Sequence, residues 1–276
     1  MNERQTAEWL MEREDFLILT HVRPDGDTIG CAAGLCLALR GRGKTAWVLE
    51  NPEATSLFTP YLEGLTAPEG WSPDTVVSVD IAARGLFPEN ARCYLERVDL
   101  AIDHHPSNEG FGRENCVEAD KAACGEIVHA LLTELGVTVT KRIAECLYTA
   151  ISTDTGCFKF SNTSANTHRT AAALIDAGAD VVVGSHTHCL QGVSYIDGKP
   201  VFYSLGNFIF GQSIDRSAML EVTIDAAGRA SYRFVPVYAA GGVTYPAEGG
   251  QAESVLNYLD GISEAAVASD GTVTED

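Results

Sequence analysis

The sequence predicts an α/β protein built on a doubly wound parallel sheet, followed by a smaller, mostly β segment. Three observations carry this. Short apolar or β-branched runs alternate with segments of helical length through the first 170 residues, the pattern of strands joined by crossover helices. Several of those runs end in Asp or His, at the edge where ligands collect in an open α/β sheet. Past residue 170 the composition changes and strands separated by glycine turns take over.

Taken in order, FLILT (16–20) reads as a strand ending at His21. RPDGD is a turn. The apolar stretch TIGCAAGLCLALRGRG (28–43) is a helix closed by glycines, with Asp27 at its N-cap. TAWVLE (45–50), TVVSVD (75–80) and VDLAID (98–103) are strands, the last two ending in Asp. AACGEIVHALLTELG (122–136) and KRIAECLYTAISTDTG (141–156) have helical periodicity. TAAALIDAGAD (170–180) is a further helix and DVVVG a strand before GSHTH. KPVFYSLGNFIF, AMLEVTID and ASYRFVPVYA are strands, with turns at Asp197-Gly198 and Gly228. The stretch 247–276 reads as an acidic, partly flexible tail with one helix around NYLDGI.

Composition narrows the function. The chain has 276 residues, 45% hydrophobic and 21% charged, and a net charge of −19. Before residue 170 it carries 15 Lys and Arg against 25 Asp and Glu; after it, 4 against 13. That balance argues against grip on long duplex nucleic acid, though not against a small anion held through a cation. No apolar run is long enough to cross a membrane, and the charged N-terminus has no signal-peptide core. Eight cysteines without a CxxC pair read as reduced thiols of a cytoplasmic protein.

The chemistry is concentrated in His21-x-x-x-Asp25-x-Asp27, Asp80, Asp103-His104-His105 and Asp154. An isolated Asp after a strand is more often a turn or cap residue, and a lone His pair is usually surface. Together they converge on one sheet edge. Carboxylates packed there repel unless cations sit between them, and oxygen ligands mixed with imidazole suit Mn²⁺ or Mg²⁺ better than a thiolate zinc site.

HVRPDGDTIG, VSVDIAARG, AIDHHPSN and YTAISTDTGCFKFSNTS resemble the four motifs of the DHH phosphoesterase family, in its bacterial branch of bifunctional oligoribonucleases and phosphoadenosine-phosphate phosphatases. The resemblance spans 1–170. It implies two Mn²⁺ ions, with Mg²⁺ or Co²⁺ as substitutes, and hydrolysis of a short oligonucleotide or small nucleotide. Carried over, His21, Asp25 and Asp80 hold one ion, and Asp27, Asp80, His104 and Asp154 the other, with Asp80 bridging. Asp103 then orients His104, and His105 stands beside the reacting phosphate. Arg23, Gly156, Ser161 and Asn162 are candidate substrate contacts; a solvated loop Arg, and a plain helix cap and turn, are the alternatives. A homodimer stays open.

That branch continues into a smaller domain with a GGGH-like motif, and none follows residue 170. ALIDAGADVVVGSHTHCLQGVSYIDGKPVFYSLGNFIFGQS instead resembles the C-terminal portion of CapA-type proteins of capsule or poly-γ-glutamate synthesis, which have a calcineurin-like fold. There the two His of GSHTH, here His186 and His188, are metal ligands, but that family's earlier ligands have no counterpart. The chain is expected to comprise a DHH catalytic domain (1–170), a CapA-like fragment (171–246) and a tail (247–276). The alternatives to a phosphoesterase are a CapA-type synthesis factor and a catalytically silent hybrid.

Overall fold

The computed structural model describes residues 1–178, 180–184, 189–208 and 214–275. They divide into two units, Met1–Ala179 and Asp180–Asp276, a boundary that leaves the whole helix after the SNTS motif with the first unit rather than dividing the chain at 170.

The first unit contains α1 (Glu3–Met11), β1 (Phe16–Leu19), α2 (Gly26–Gly41), β2 (Ala46–Val48), β3 (Thr75–Val79), β4 (Leu100–Asp103), β5 (Glu114–Val117), α3 (Cys124–Glu134), α4 (Lys141–Asp154) and α5 (Ala165–Gly178). The strands form one parallel sheet in the order β2-β1-β3-β4-β5. The order reverses between β1 and β3, and that crevice is where an open α/β sheet takes its ligand. Alternate residues point to opposite faces. Phe16, Ile18, Val77, Val79, Leu100 and Ile102 pack under α2, α3 and α4. Leu17, Leu19, Val76 and Ala101 pack under Phe87, Ala91, Val98 and Phe111. The second face is covered by short 3₁₀ segments, Arg84–Leu86 and Glu89–Arg97.

Two helices or strands of this unit, α1 and β5, went unread in the sequence. α1 is nearly polar in sequence but carries a capping box between Asn2 and Gln5. β5 is an edge strand, ENCV, whose side chains apart from Cys116 are not buried, so no apolar alternation marks it.

α2 is buried along almost its whole length, because the sheet lies on one side and α4 on the other. Gly26, Gly30 and Gly34 form the strip that admits α4. A Cβ on them would stand 2.5 Å from Thr153 Oγ1, 2.2 Å from the Cys146 carbonyl oxygen and 2.9 Å from Leu147 Cδ2. Close approach of these helices brings the last residue of α4, Asp154, to the first turn of α2.

In the second unit, β6 (Val182–Val183), β7 (Val193–Ile196) and β8 (Lys199–Phe202) make a three-stranded sheet. β7 and β8 are joined by Asp197-Gly198, both with positive φ (50° and 74°), the two-residue hairpin turn expected of that dipeptide. β9 (Ile214–Ile224), β10 (Ala230–Ala240), β11 (Val243–Pro246), β12 (Ala266–Val267) and β13 (Thr272–Thr274) form a second, antiparallel sheet with β10 at its centre. The stretch read as a partly flexible tail with one helix around NYLDGI holds a longer helix and two strands. α6 (Gly249–Ile262) buries Val255, Leu256 and Leu259 in a core with Phe202, Tyr232, Phe234, Val267 and Val273. Its apolar residues are few and dispersed among Gly, Ser, Glu and Asp, and only their shared face makes them a core.

Candidate metal centre

β1, β3 and β4 deliver His21, Asp80 and the Asp103-His104-His105 run from their carboxyl ends, while the start of α2 supplies Asp25 and Asp27 and the end of α4 supplies Asp154. Asp80 follows β3 with φ of +57°, a left-handed conformation that Asp tolerates better than most residues. Its N–H donates to the Ile102 carbonyl (2.9 Å), which holds it there. Asp25 is the N-cap of α2; its Oδ1 accepts from the N–H groups of Asp27 (3.0 Å) and Thr28 (3.2 Å). The expected cap, Asp27, lies instead inside the first turn. It is fully buried and its carboxylate faces the N-terminus of α3, accepting from the Cys124 (2.7 Å) and Gly125 (3.0 Å) N–H groups.

These residues meet in two clusters that share Asp80. His21 Nε2 lies 3.5 Å from Asp25 Oδ1 and 3.6 Å from Asp80 Oδ2. His104 Nε2 lies 3.6 Å from Asp80 Oδ1, 3.4 Å from Asp154 Oδ2 and 3.8 Å from Asp27 Oδ2. His21, Asp25 and Asp80 form one set of converging ligand atoms, Asp27, His104 and Asp154 another, and Asp80, His104 and His105 a third. In both rings Nδ1 is engaged by a backbone carbonyl, Val22 for His21 (2.8 Å) and Lys121 for His104 (3.2 Å). A ring N–H donated there leaves Nε2 as an acceptor facing the cluster, the tautomer a cation needs.

The donor set fits bound metal cations. Asp80 Oδ1 and His104 Nε2 are buried without a hydrogen-bond partner, an expensive state for a polar atom that coordination relieves. The electrostatics agree. Burial, then the charges of Asp80 and Asp154, push the Asp27 carboxyl well above the usual range. Burial also raises Asp80 and Asp154. Burial opposes protonation of His21, but its bonds to Asp25 and Asp80 outweigh it and lift the imidazole to about 10. At Asp25 burial acts the same way, but its bond to His21 outweighs it and holds the carboxyl below the usual range. Without a cation, burial and mutual repulsion thus favour the protonated forms of Asp27, Asp80 and Asp154.

Asp103 does not orient the His104 ring as the motif implied. Its Oδ1 accepts from His105 Nδ1 (2.8 Å) and from the His104 backbone N–H (2.8 Å), while Asn108 Nδ2 donates to its Oδ2 (2.6 Å). Asp103 therefore sets the His105 ring, because a β4 terminus turns the chain so that the second His, not the first, passes over its carboxylate. His105 is partly exposed (41%), and with His21, Val22, Arg23, Asp25, Asp80, Leu86 and Asp154 it lines a cleft of about 400 Å³.

Of the candidate substrate contacts, Arg23 lines that cleft and Ser161 is exposed. Gly156, with φ of +55°, ends the α4 turn under the Phe160 ring. Asn162 Nδ2 donates to the carbonyls of Ala122 (3.0 Å) and Asp154 (3.3 Å), so it ties the end of α4, where Asp154 lies, to the segment before α3. His186 and His188 lie outside the described residues. Lys121, Cys124, Gly125 and Asn108 were missed from sequence. The first three act through backbone atoms, which no residue type announces; Asn108 lies in the quoted DHHPSN motif and was the one legible candidate.

Residues 15–151 match the DHH family, N-terminal domain. The first unit is a DHH-family domain. A bifunctional oligoribonuclease and PAP phosphatase of Thermus thermophilus is 39% identical over 166 residues, 58% of this chain and 49% of that protein. One of Mycoplasma genitalium is 31% identical over 205 residues, 71% of this chain and 63% of that protein. This chain thus spans about half to two thirds of the length of these relatives. An exopolyphosphatase-related protein from Bacteroides fragilis has the same fold, with a TM-score of 0.57 at 24% identity over 64% of this chain and 57% of that one. Residues 139–212 match the bacterial capsule synthesis protein PGA_cap. The PGA biosynthesis protein CapA of Bacillus subtilis is 39% identical over 70 residues, 24% of this chain and 18% of that protein. The DHH domain is therefore joined to a CapA-like segment, and the two matches overlap in α4, upstream of the join the motifs suggested at 171.

Proposed function

We propose that the DHH domain hydrolyses phosphoester bonds of short oligonucleotides or nucleoside bisphosphates in the cytoplasm, with two divalent cations, Mn²⁺ foremost. The observation that carries this reading is Asp80, whose two carboxylate oxygens face two different ligand clusters. His21, Asp25 and Asp80 would hold one cation, and Asp27, Asp80, His104 and Asp154 the other. When bound, such a pair would supply an acidified water and charge stabilisation for an in-line displacement at phosphorus.

The chain's own groups do the rest. Arg23 faces the cleft from the β1–α2 turn and is a donor for non-bridging phosphate oxygens. His105, anchored through Nδ1 by Asp103, offers Nε2 to the leaving oxygen as a proton donor. The cleft has room for a small phosphoester, and the acidic chain offers no broad basic track for a duplex.

The test is turnover of a dinucleotide and of 3′-phosphoadenosine 5′-phosphate by the whole chain. Release of nucleotide or phosphate with Mn²⁺, abolished by chelation and restored by adding the metal back, is the expected result. Absence of turnover of either substrate by protein carrying two bound ions would overturn the reading.

A further inference from the structure

Glu126, in the first turn of α3, is 2% exposed. Its carboxylate is fully engaged: Oε1 accepts from Thr167 Oγ1 (2.7 Å) and the Ala122 N–H (3.2 Å), and Oε2 accepts from Asn166 Nδ2 (2.6 Å). Asn166 and Thr167 belong to the first turn of α5, whose N–H groups Ser164 Oγ caps (3.1 and 3.2 Å). Glu126 thus stitches the 121–126 turn to the start of α5.

That turn is a common support. The Lys121 carbonyl engages His104 Nδ1, the Ala122 carbonyl accepts from Asn162, which also reaches the Asp154 carbonyl, and the Cys124 and Gly125 N–H groups hold the two oxygens of Asp27. His104, Asp154 and Asp27 are the members of one ligand cluster. His21 and Asp25 of the other are held elsewhere: the Asn51 side chain donates to the His21 carbonyl, and Asp25 caps α2.

We propose that Glu126 is a positioning residue for one of the two cation sites: through the 121–126 turn it sets the affinity of the Asp27–His104–Asp154 cluster and leaves the His21–Asp25–Asp80 cluster untouched. This rests on the two-cation reading. Loss of an outer support of this kind weakens a metal site by about 10–100-fold. Glu126→Met preserves length but removes both acceptors, so the Ala122 N–H and the Asn166 amide lose this partner and the Thr167 hydroxyl keeps only Ser164. Glu126→Gln should rescue, because its oxygen still accepts from Thr167 and Ala122, and the Asn166 amide can turn its oxygen to the new NH₂ group.

Mn²⁺ affinity is measured by calorimetry in two backgrounds. His21→Ala leaves the Asp27–His104–Asp154 cluster, and Asp154→Asn leaves the His21–Asp25–Asp80 cluster. Glu126→Met should weaken Mn²⁺ binding about 10–100-fold in the first and less than about twofold in the second. Glu126→Gln should stay within about threefold of its parent in both, since each hydrogen bond can be remade. If Glu126→Met does not fold, judged by circular dichroism, Thr167→Val is read instead, with the same one-sided loss. Two ions in the unmodified chain but equal losses in both backgrounds, no loss in either, or no rescue by Gln would overturn the proposal. Fewer than two ions in the unmodified chain would overturn the two-cation reading and this proposal with it.

Discussion

Gly30→Ala tests whether helix packing sets the metal centre. A Cβ there would lie 2.2 Å from the Cys146 carbonyl oxygen and 3.0 Å from Ala150 Cβ. Ordinary C···O contacts need about 3.3 Å, so α4 must retreat from α2 by roughly 1 Å. Overpacking of this kind costs about 1–3 kcal/mol, and the upper end applies because the obstacle is backbone that cannot rotate away. Alanine regains about 1 kcal/mol of helix propensity, leaving a net loss of about 2 kcal/mol. For a unit of this size that is a fall in Tm of roughly 4–8 °C. α4 ends at Asp154, and a ligand displaced by more than about 0.5 Å no longer matches its partners. Mn²⁺ affinity should therefore fall at least about tenfold, by the scale of lost metal-site supports. Gly41→Ala, in the same helix with nothing within 4 Å, is the control and should be neutral or slightly stabilising. The assays are thermal unfolding with chelator and calorimetric titration of Mn²⁺. A Gly30→Ala protein as stable as its parent and with unchanged Mn²⁺ affinity would refute the argument.

Three further outcomes follow from the same geometry. Asp80→Asn should abolish hydrolysis with little change in the circular dichroism spectrum, because an amide cannot supply charge to both clusters; more than about a tenth of the activity remaining would count against the bridging role. With the His21 pKa raised to about 10, the metal-free fold gains stability from His21 protonation that is complete below the unfolded value near 6.5 and lost as pH rises through 10. Tm in chelator should drop across that window through this group, and Mn²⁺ binding at pH 7.5 should release protons in a weakly buffered titration; no proton release would contradict the His21 assignment. The double change His186→Ala, His188→Ala should leave Mn²⁺ stoichiometry unchanged, since the DHH clusters complete their own donor sets; loss of an ion, measured by elemental analysis, would make the CapA-like segment part of the centre.

What the sequence determined by itself was the parallel sheet and the ring of side chains at its edge. β1, β3 and β4 are apolar runs buried on both faces, so burial alone marks them, and His21, Asp80 and Asp103 stand out as the residues that end them. The Asp197-Gly198 turn was equally legible, because that dipeptide accepts positive φ, though the strand before it was not. Tertiary structure decided everything that depends on atoms common to all residues or on distance. Asp25 rather than Asp27 caps α2, since the cap is chosen by where the chain leaves β1, and Asp27 is released to face α3. Asp103 serves His105 and not the His104 ring, which the Lys121 carbonyl holds from 17 residues away. The first two turns of α6 and the two strands after it escape a composition-based reading, which found only the helix around NYLDGI, because their apolar residues are sparse in sequence and gather into a core only on folding. Side chains declare their chemistry in the sequence; backbone donors, backbone acceptors and shared faces acquire theirs only when the chain has brought them to one place.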